Sequence, residues 1–282
     1  MAVARHKHQR PLYGARLLVA DRSNPDVVEA LLAAGPAIWI DTAVNDYADA
    51  TALFEGARRV AATGAALPRF VIMSSIGEFG PALTGSGTIT ADSQTSADDD
   101  HSAGKLRAFE FLRNAADFMS ITWAILPQMW GPNDHSGDGP QGRTTRIIRA
   151  VASSRPVYFR GTCDNLIPDG YVDTIAQALV FLAEAGPVAG IKRILVAGPS
   201  SLTPRDFVQE AAQALSVTPE IIVLPPDQID AAVGGCYAPV FPEYDLKMNV
   251  SELYESGFMP SADWRNGVRN TAHHFERPGI PF

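Results

Sequence analysis

Arg69-Phe-Val-Ile-Met-Ser-Ser-Ile-Gly-Glu-Phe-Gly80 decides how the chain is read. A short apolar run stops abruptly at two serines and a glycine. That pattern fits a strand buried on both faces, delivering hydroxyls to the carboxyl edge of a parallel sheet. Downstream, His101-Ser-Ala-Gly-Lys105 sets a histidine and a lysine four residues apart, on one face of a helix. Ser75, His101 and Lys105 thus carry groups able to do chemistry. An imidazole with its ordinary pKa of about 6.5 can give or take a proton at neutral pH. Plainer readings stand beside these. A serine at a strand end can satisfy backbone groups, and His101 and Lys105 can be exposed helical side chains.

Working outward, residues 16–20 form a short apolar strand, followed by Asp21-Arg22-Ser23-Asn24-Pro25. Pro25 suits a first helical turn, with Ser23 or Asn24 as its cap. Val27, Val28, Leu31 and Leu32 give that helix an apolar face, and Gly35 ends it. Residues 37–41 are the next buried strand and 46–60 a second helix, before the strand at 70–75. Strand and helix alternate, which predicts a parallel, doubly wound α/β sheet. Residues 81–100 are polar and predict a surface loop, whose triple Asp98-Asp99-Asp100 suits a helix start. A helix from Lys105 to Ala115, a strand over 121–126 and a loop over 131–140 come next. Then follow a helix (144–153), a strand (157–160), a helix opened by Tyr171-Val-Asp173, a strand (193–197), a Thr203-capped helix and a strand (221–224). An amphipathic helix near 264–275 closes the chain.

Composition narrows the function classes. Hydrophobic residues make up 46% and charged residues 19%, as in ordinary globular enzymes. A net charge of −8 argues against a nucleic-acid partner, which needs a basic face. No apolar run reaches the roughly 18 residues of a membrane span. Cys163 and Cys236 make neither a disulfide framework nor a zinc pattern, and fit a reducing cytoplasm. His273-His274 lacks the partner spacing of a metal site. Arg5, Lys7 and Arg10 precede no apolar signal core, so residues 1–13 are expected to be a flexible tail.

Five segments in order resemble the extended short-chain dehydrogenase/reductase family, of the NAD-dependent epimerase/dehydratase type. They are Phe70 to Gly80; Trp130-Gly131-Pro132; Tyr171-Val172-Asp173; Ile194 to Gly198 with Leu202, Thr203 and Phe207; and Leu253 to Pro260. The resemblance implies a Rossmann-like sheet of order 3-2-1-4-5-6 and a small C-terminal substrate lobe. It divides the chain into a core over 14–165 and a remainder over 166–282 that interleaves with that lobe as one structural unit. It implies NAD or NADP as cofactor, Ser75 and Lys105 as catalytic groups, and His101 in the place of the family tyrosine. Asp21, Arg22, Thr42, Ala43 and Lys105 fall where the cofactor would be contacted. Gln128, His135 and Arg143 fall where the substrate, a small polar or nucleotide-sugar-like molecule, would lie. A homodimer is compatible with it.

The departures carry their own expectations. No Gly-x-x-Gly-x-x-Gly occurs in the 282 residues. That loop lets a pyrophosphate rest on a helix N-terminus. Residues 16–20 match the family's third strand, so strand one, helix one and strand two are expected to be absent. Ile76-Gly77 stands where 4,6-dehydratases carry Asp-Glu. Three functions remain open: a divergent NAD(P)-dependent enzyme, a cofactor-independent lyase, isomerase or cyclase, and a non-catalytic relative acting as a partner or scaffold. If the first strands are absent, residues 16–20 are expected to pair in parallel with 37–41, because an unpaired apolar edge invites aggregation.

Overall fold

The computed structural model describes residues 1–4, 16–84, 87–132, 143–225, 227–229 and 244–275, without the side chains of 81–84 and 143–145. The chain forms two compact units. The first comprises Met1–Ala82, Gln94–Ile125 and Leu179–Ile194; the second comprises Leu83–Ser93, Leu126–Ala178 and Leu195–Phe282. The chain crosses between the units near residues 82, 93, 125, 178 and 194, so the two interleave along the sequence.

The first unit contains β1 (Ala2–Ala4), β2 (Leu17–Val19), α1 (Pro25–Ala33), β3 (Ile38–Asp41), α2 (Tyr47–Ala62) and β4 (Arg69–Ser75). After β4 comes a 3-10 segment, Ile76–Thr84. Each element starts for a local reason. Asn24 caps α1 by accepting the Asp26 N–H, with Pro25 at the first position, and Asp46 caps α2 by accepting the Asp49 N–H. β4 buries Phe70, Val71 and Ile72, as its apolar run predicts. β3 pairs in parallel with β4, with Ile38 opposite Arg69 and Asp41 opposite Ile72. Further along are α3 (Asp100–Leu112), β6 (Ser120–Leu126) and β9 (Ile191–Leu195), and the main sheet has the order β3-β4-β6-β9.

Two expectations are corrected at the N-terminal end. Residues 2–4, expected within a flexible tail, form β1 and pair in parallel with β2, Ala2 opposite Leu17 and Ala4 opposite Val19. The second is the pairing of residues 16–20 with 37–41: among the described residues β2 makes no ladder with β3. The backbone of β2 finds its partners in Ala2–Ala4, and β3 has a paired neighbour only in β4 among the described residues. Ile40 and Val19 are accordingly exposed rather than buried.

The second unit contains β5 (Thr88–Ile89), α4 (Arg143–Ala152), β7 (Val157–Arg160), β8 (Ile167–Pro168), the start of α5 (Val172–Glu184), β10 (Ser201–Leu202) and α6 (Pro204–Ala214). It ends in β11 (Ile221–Leu224), β12 (Lys247–Met248), α7 (Ser251–Glu255) and α8 (Trp264–Phe275). β5, inside the stretch expected to be loop, pairs in parallel with β12, and β7 pairs in parallel with β11. Thr203 and Asp206 close a full capping box on α6. Around Trp130, Tyr171, Phe207 and Phe275, side chains of α4, α6 and α8 make one apolar core.

Candidate functional site

The carboxyl end of β4 is built around a close approach. Ser75 Oγ accepts the Gly77 N–H at 3.2 Å. A Cβ on Gly77 would overlap Ser102 Oγ and stand 3.3 Å from Ser75 Oγ. Two serine hydroxyls, one from the strand end and one from the first turn of α3, thus converge over a glycine. Ser102 Oγ donates to Asp99 Oδ2 at 2.6 Å, and the Ser102 N–H donates to Asp99 Oδ1 at 2.9 Å. Burial pushes the Asp99 carboxyl up, but these bonds and the His101 N–H outweigh it and hold the group below its ordinary value. Gly77→Ala is expected to push Ser102 off Asp99 and cost about 1–3 kcal/mol. Urea unfolding checks this, and a loss under 0.5 kcal/mol, roughly the scale of an ordinary surface change, would contradict the close packing.

His101 lies in that first turn, with its side chain exposed. Lys105, one turn on, is buried, and its Nζ donates to the Met73 carbonyl at 2.9 Å. Burial pushes the Lys105 pKa down, while Asp41, Glu78 and Asp49 oppose the fall. The two helical residues therefore separate into a wet imidazole and a buried amine.

The expected cofactor residues have internal partners. Arg22 sits against Asp41 at 2.8 Å and Asp49 at 3.3 Å, and donates to the Ala43 carbonyl at 3.0 Å. Asp41, which closes β3, also accepts the Ala43 N–H at 2.9 Å and the Trp39 indole N–H at 3.0 Å. Asp21 accepts the Ser23 hydroxyl and N–H, a local turn before α1. Thr42 is exposed. The described residues offer no glycine-cradled backbone for the pyrophosphate of a dinucleotide.

Behind the strand end is a buried network that no sequence pattern announces. Glu78 is wholly buried. It accepts the Ser74 hydroxyl and the Trp123 indole N–H, the latter at 2.7 Å, and pairs with Arg193 at 3.2 Å. The Arg193 guanidinium lies 5.2 Å from the Phe79 ring centroid and 5.3 Å from that of Phe109. Glu78, Asp41, Asp99 and Ser102 were all absent from the sequence-derived candidates. Only Asp99 and Ser102 carried a signal, an acidic cap with a hydroxyl three residues on.

Of the expected substrate residues, Gln128 is exposed in the second unit. His135 lies outside the described residues, and Arg143 opens α4 with its side chain outside them.

Sheet, helices and strand-end hydroxyls together define a Rossmann-type α/β protein. The sequence profile of the NAD dependent epimerase/dehydratase family matches residues 16–198. The chain belongs to that family, the epimerase/dehydratase branch of the extended short-chain dehydrogenases/reductases. No curated protein matches it. Several solved structures share the fold. A candidate epimerase from Burkholderia cenocepacia J2315 has TM-score 0.75 and 16% identity, over 96% of this chain and 88% of that one. UDP-glucose 4-epimerase from Thermotoga maritima, solved with UDP-glucose, has TM-score 0.73 and 13% identity, over 97% of this chain and 89% of that one. UDP-glucuronic acid 4-epimerase from Bacillus cereus, solved with NAD, has TM-score 0.71 and 14% identity, over 93% of this chain and 80% of that one.

Proposed function

We propose that the chain is an enzyme of the epimerase/dehydratase class acting on a small polar metabolite of the nucleotide-sugar kind. Ser75 binds a substrate oxygen and His101 moves the proton. One observation carries this reading. Ser75 Oγ is held by the Gly77 N–H at the carboxyl end of β4, and its own proton makes no hydrogen bond among the described residues. The first turn of α3, which bears the exposed His101, packs against Gly77 through Ser102. Family membership and the nucleotide-sugar ligand of one structural neighbour support the substrate class. A nicotinamide cofactor, when bound, supplies hydride transfer in this family. Lys105 is the residue of this chain that would meet its ribose end. Among the described residues no helix is long and apolar enough to cross a membrane.

A second reading, acid–base chemistry on the same groups without a dinucleotide, is favoured by the inward-turned Arg22. Both readings need the imidazole. His101→Gln is expected to lower turnover about 10²–10⁴-fold while substrate affinity changes less than a few-fold. The assay is NMR of a UDP-sugar panel in D2O, with and without NAD or NADP. Turnover only with added nucleotide supports the first reading, and deuterium wash-in without it supports the second. No reaction across the panel, or unchanged turnover in the variant, overturns the assignment.

A further inference from the structure

A second titratable site lies in the other unit, far in sequence from Ser75. Asp169 follows β8, and its carboxyl is completely buried. One oxygen, Oδ1, accepts the Tyr171 N–H at 2.9 Å. The other, Oδ2, is buried and has no hydrogen-bond partner among the described residues. Its wall is Gly198, just after β9, where a Cβ would overlap the carboxylate. The Gly198 N–H donates to the Asp169 carbonyl at 2.7 Å, so backbone and side chain meet at one place.

The residue before Gly198 belongs to a different contact. The Ala197 carbonyl accepts the phenol of Tyr254, on α7, at 2.9 Å. Tyr254 also packs on Phe258, with ring centroids 5.6 Å apart. Asp169 and Tyr254 therefore grip the same dipeptide, and Asp169 contributes to raising the phenol pKa, after burial. The titratable groups that face Asp169 are Tyr171 at the start of α5, Tyr254 on α7, and Asp263 just before α8. None of these three is a cation. Burial pushes the Asp169 carboxyl up to about 6, the Tyr171 N–H opposes the rise, and Asp263 adds to it.

A buried carboxylate oxygen without a donor is costly, and an O–H donated to it relieves that cost. We propose that Asp169 and Tyr254 form a proton-operated latch on the end of β9. With Asp169 protonated, Tyr254 donates to Ala197 and ties α7 to the strand end. When Asp169 ionises, the Tyr254 phenol turns its proton toward Oδ2 and releases the Ala197 carbonyl. The sign follows from the raised folded-state value. The stabilising protonated form is fully present below the ordinary carboxylate pKa of about 3.9, and its contribution is lost as pH rises through about 6.

Amide NMR of the full chain between pH 4.5 and 8 tests the latch at Gly198 and Tyr254. The Gly198 resonance is expected to titrate with a midpoint near 6, and to be flat in Asp169→Asn. Tyr254→Phe keeps Asp169 but removes the donor, so the Gly198 midpoint should move upward by at least half a unit. That variant and the unmodified chain decide the matter even if Asp169→Asn fails to fold. A flat Gly198 profile in the unmodified chain overturns the latch, as does a midpoint unmoved by Tyr254→Phe.

Discussion

Glu78→Ala should destabilise the first unit by about 3–5 kcal/mol, the usual cost of leaving a buried charge unpaired. Glu78 is fully buried, and its partners come from three strands. Ser74 is on β4, Trp123 on β6, Arg193 on β9, and Phe109 of α3 flanks the guanidinium. Truncation strands the Arg193 guanidinium, whose side chain is only 16% exposed. It also strands the Trp123 indole N–H in a buried site. The pair need not be net stabilising, since hydrophobic replacements of both partners are often tolerated. That distinction gives a sharper check. The double variant Glu78→Met/Arg193→Met should regain at least half of the single-variant loss in urea unfolding. A single-variant loss below about 1 kcal/mol, the level of a typical point substitution, would show that the network does not hold the strand end.

NAD and NADP should bind the 282-residue chain only weakly. In this family the pyrophosphate rests on a glycine loop and a helix N-terminus, which need close backbone approach. The sequence contains no Gly-x-x-Gly-x-x-Gly. Arg22, the cation that the family resemblance sets beside a ribose phosphate, is paired with Asp41, Asp49 and the Ala43 carbonyl. Losing two charge-assisted bonds, at about 1.5–3 kcal/mol each, weakens binding by roughly two to four orders of magnitude. Calorimetric titration reads this directly. Saturable micromolar binding of either nucleotide would sink the expectation. It would also remove the support for a cofactor-free reaction.

Much of the architecture was legible from residue pattern alone. The runs at 70–75 and 121–126 are continuous and apolar because both faces of those strands are buried, and they lie side by side in the sheet. Asn24-Pro25 and Thr203-Pro204 announced their helices because a cap is satisfied within a few residues of itself. The strand-end place of Ser75 and the helical place of Lys105 were legible for a similar reason. A strand end and a helical spacing are local features. Family membership was likewise readable, since it rests on the order of short segments along the chain.

What stayed hidden depends on distance along the chain. β1 is three residues long, too short for any periodicity, and only its ladder with β2 identifies it. Glu78 looks like a loop glutamate until Trp123, 45 residues on, and Arg193, 115 residues on, close around it. His101 and Lys105 share a helical spacing, yet the fold buries one and exposes the other, because only Lys105 reaches the Met73 carbonyl. Arg22 falls where the family resemblance puts a cofactor contact, and only the fold shows its ion pair with Asp41. The sequence by itself determined the α/β class, the family and the strand-end hydroxyl, because these are written in local pattern. Only the tertiary structure decided which charges are paired, which are buried and which face water, because desolvation and ion pairing depend on neighbours that the chain brings together after folding.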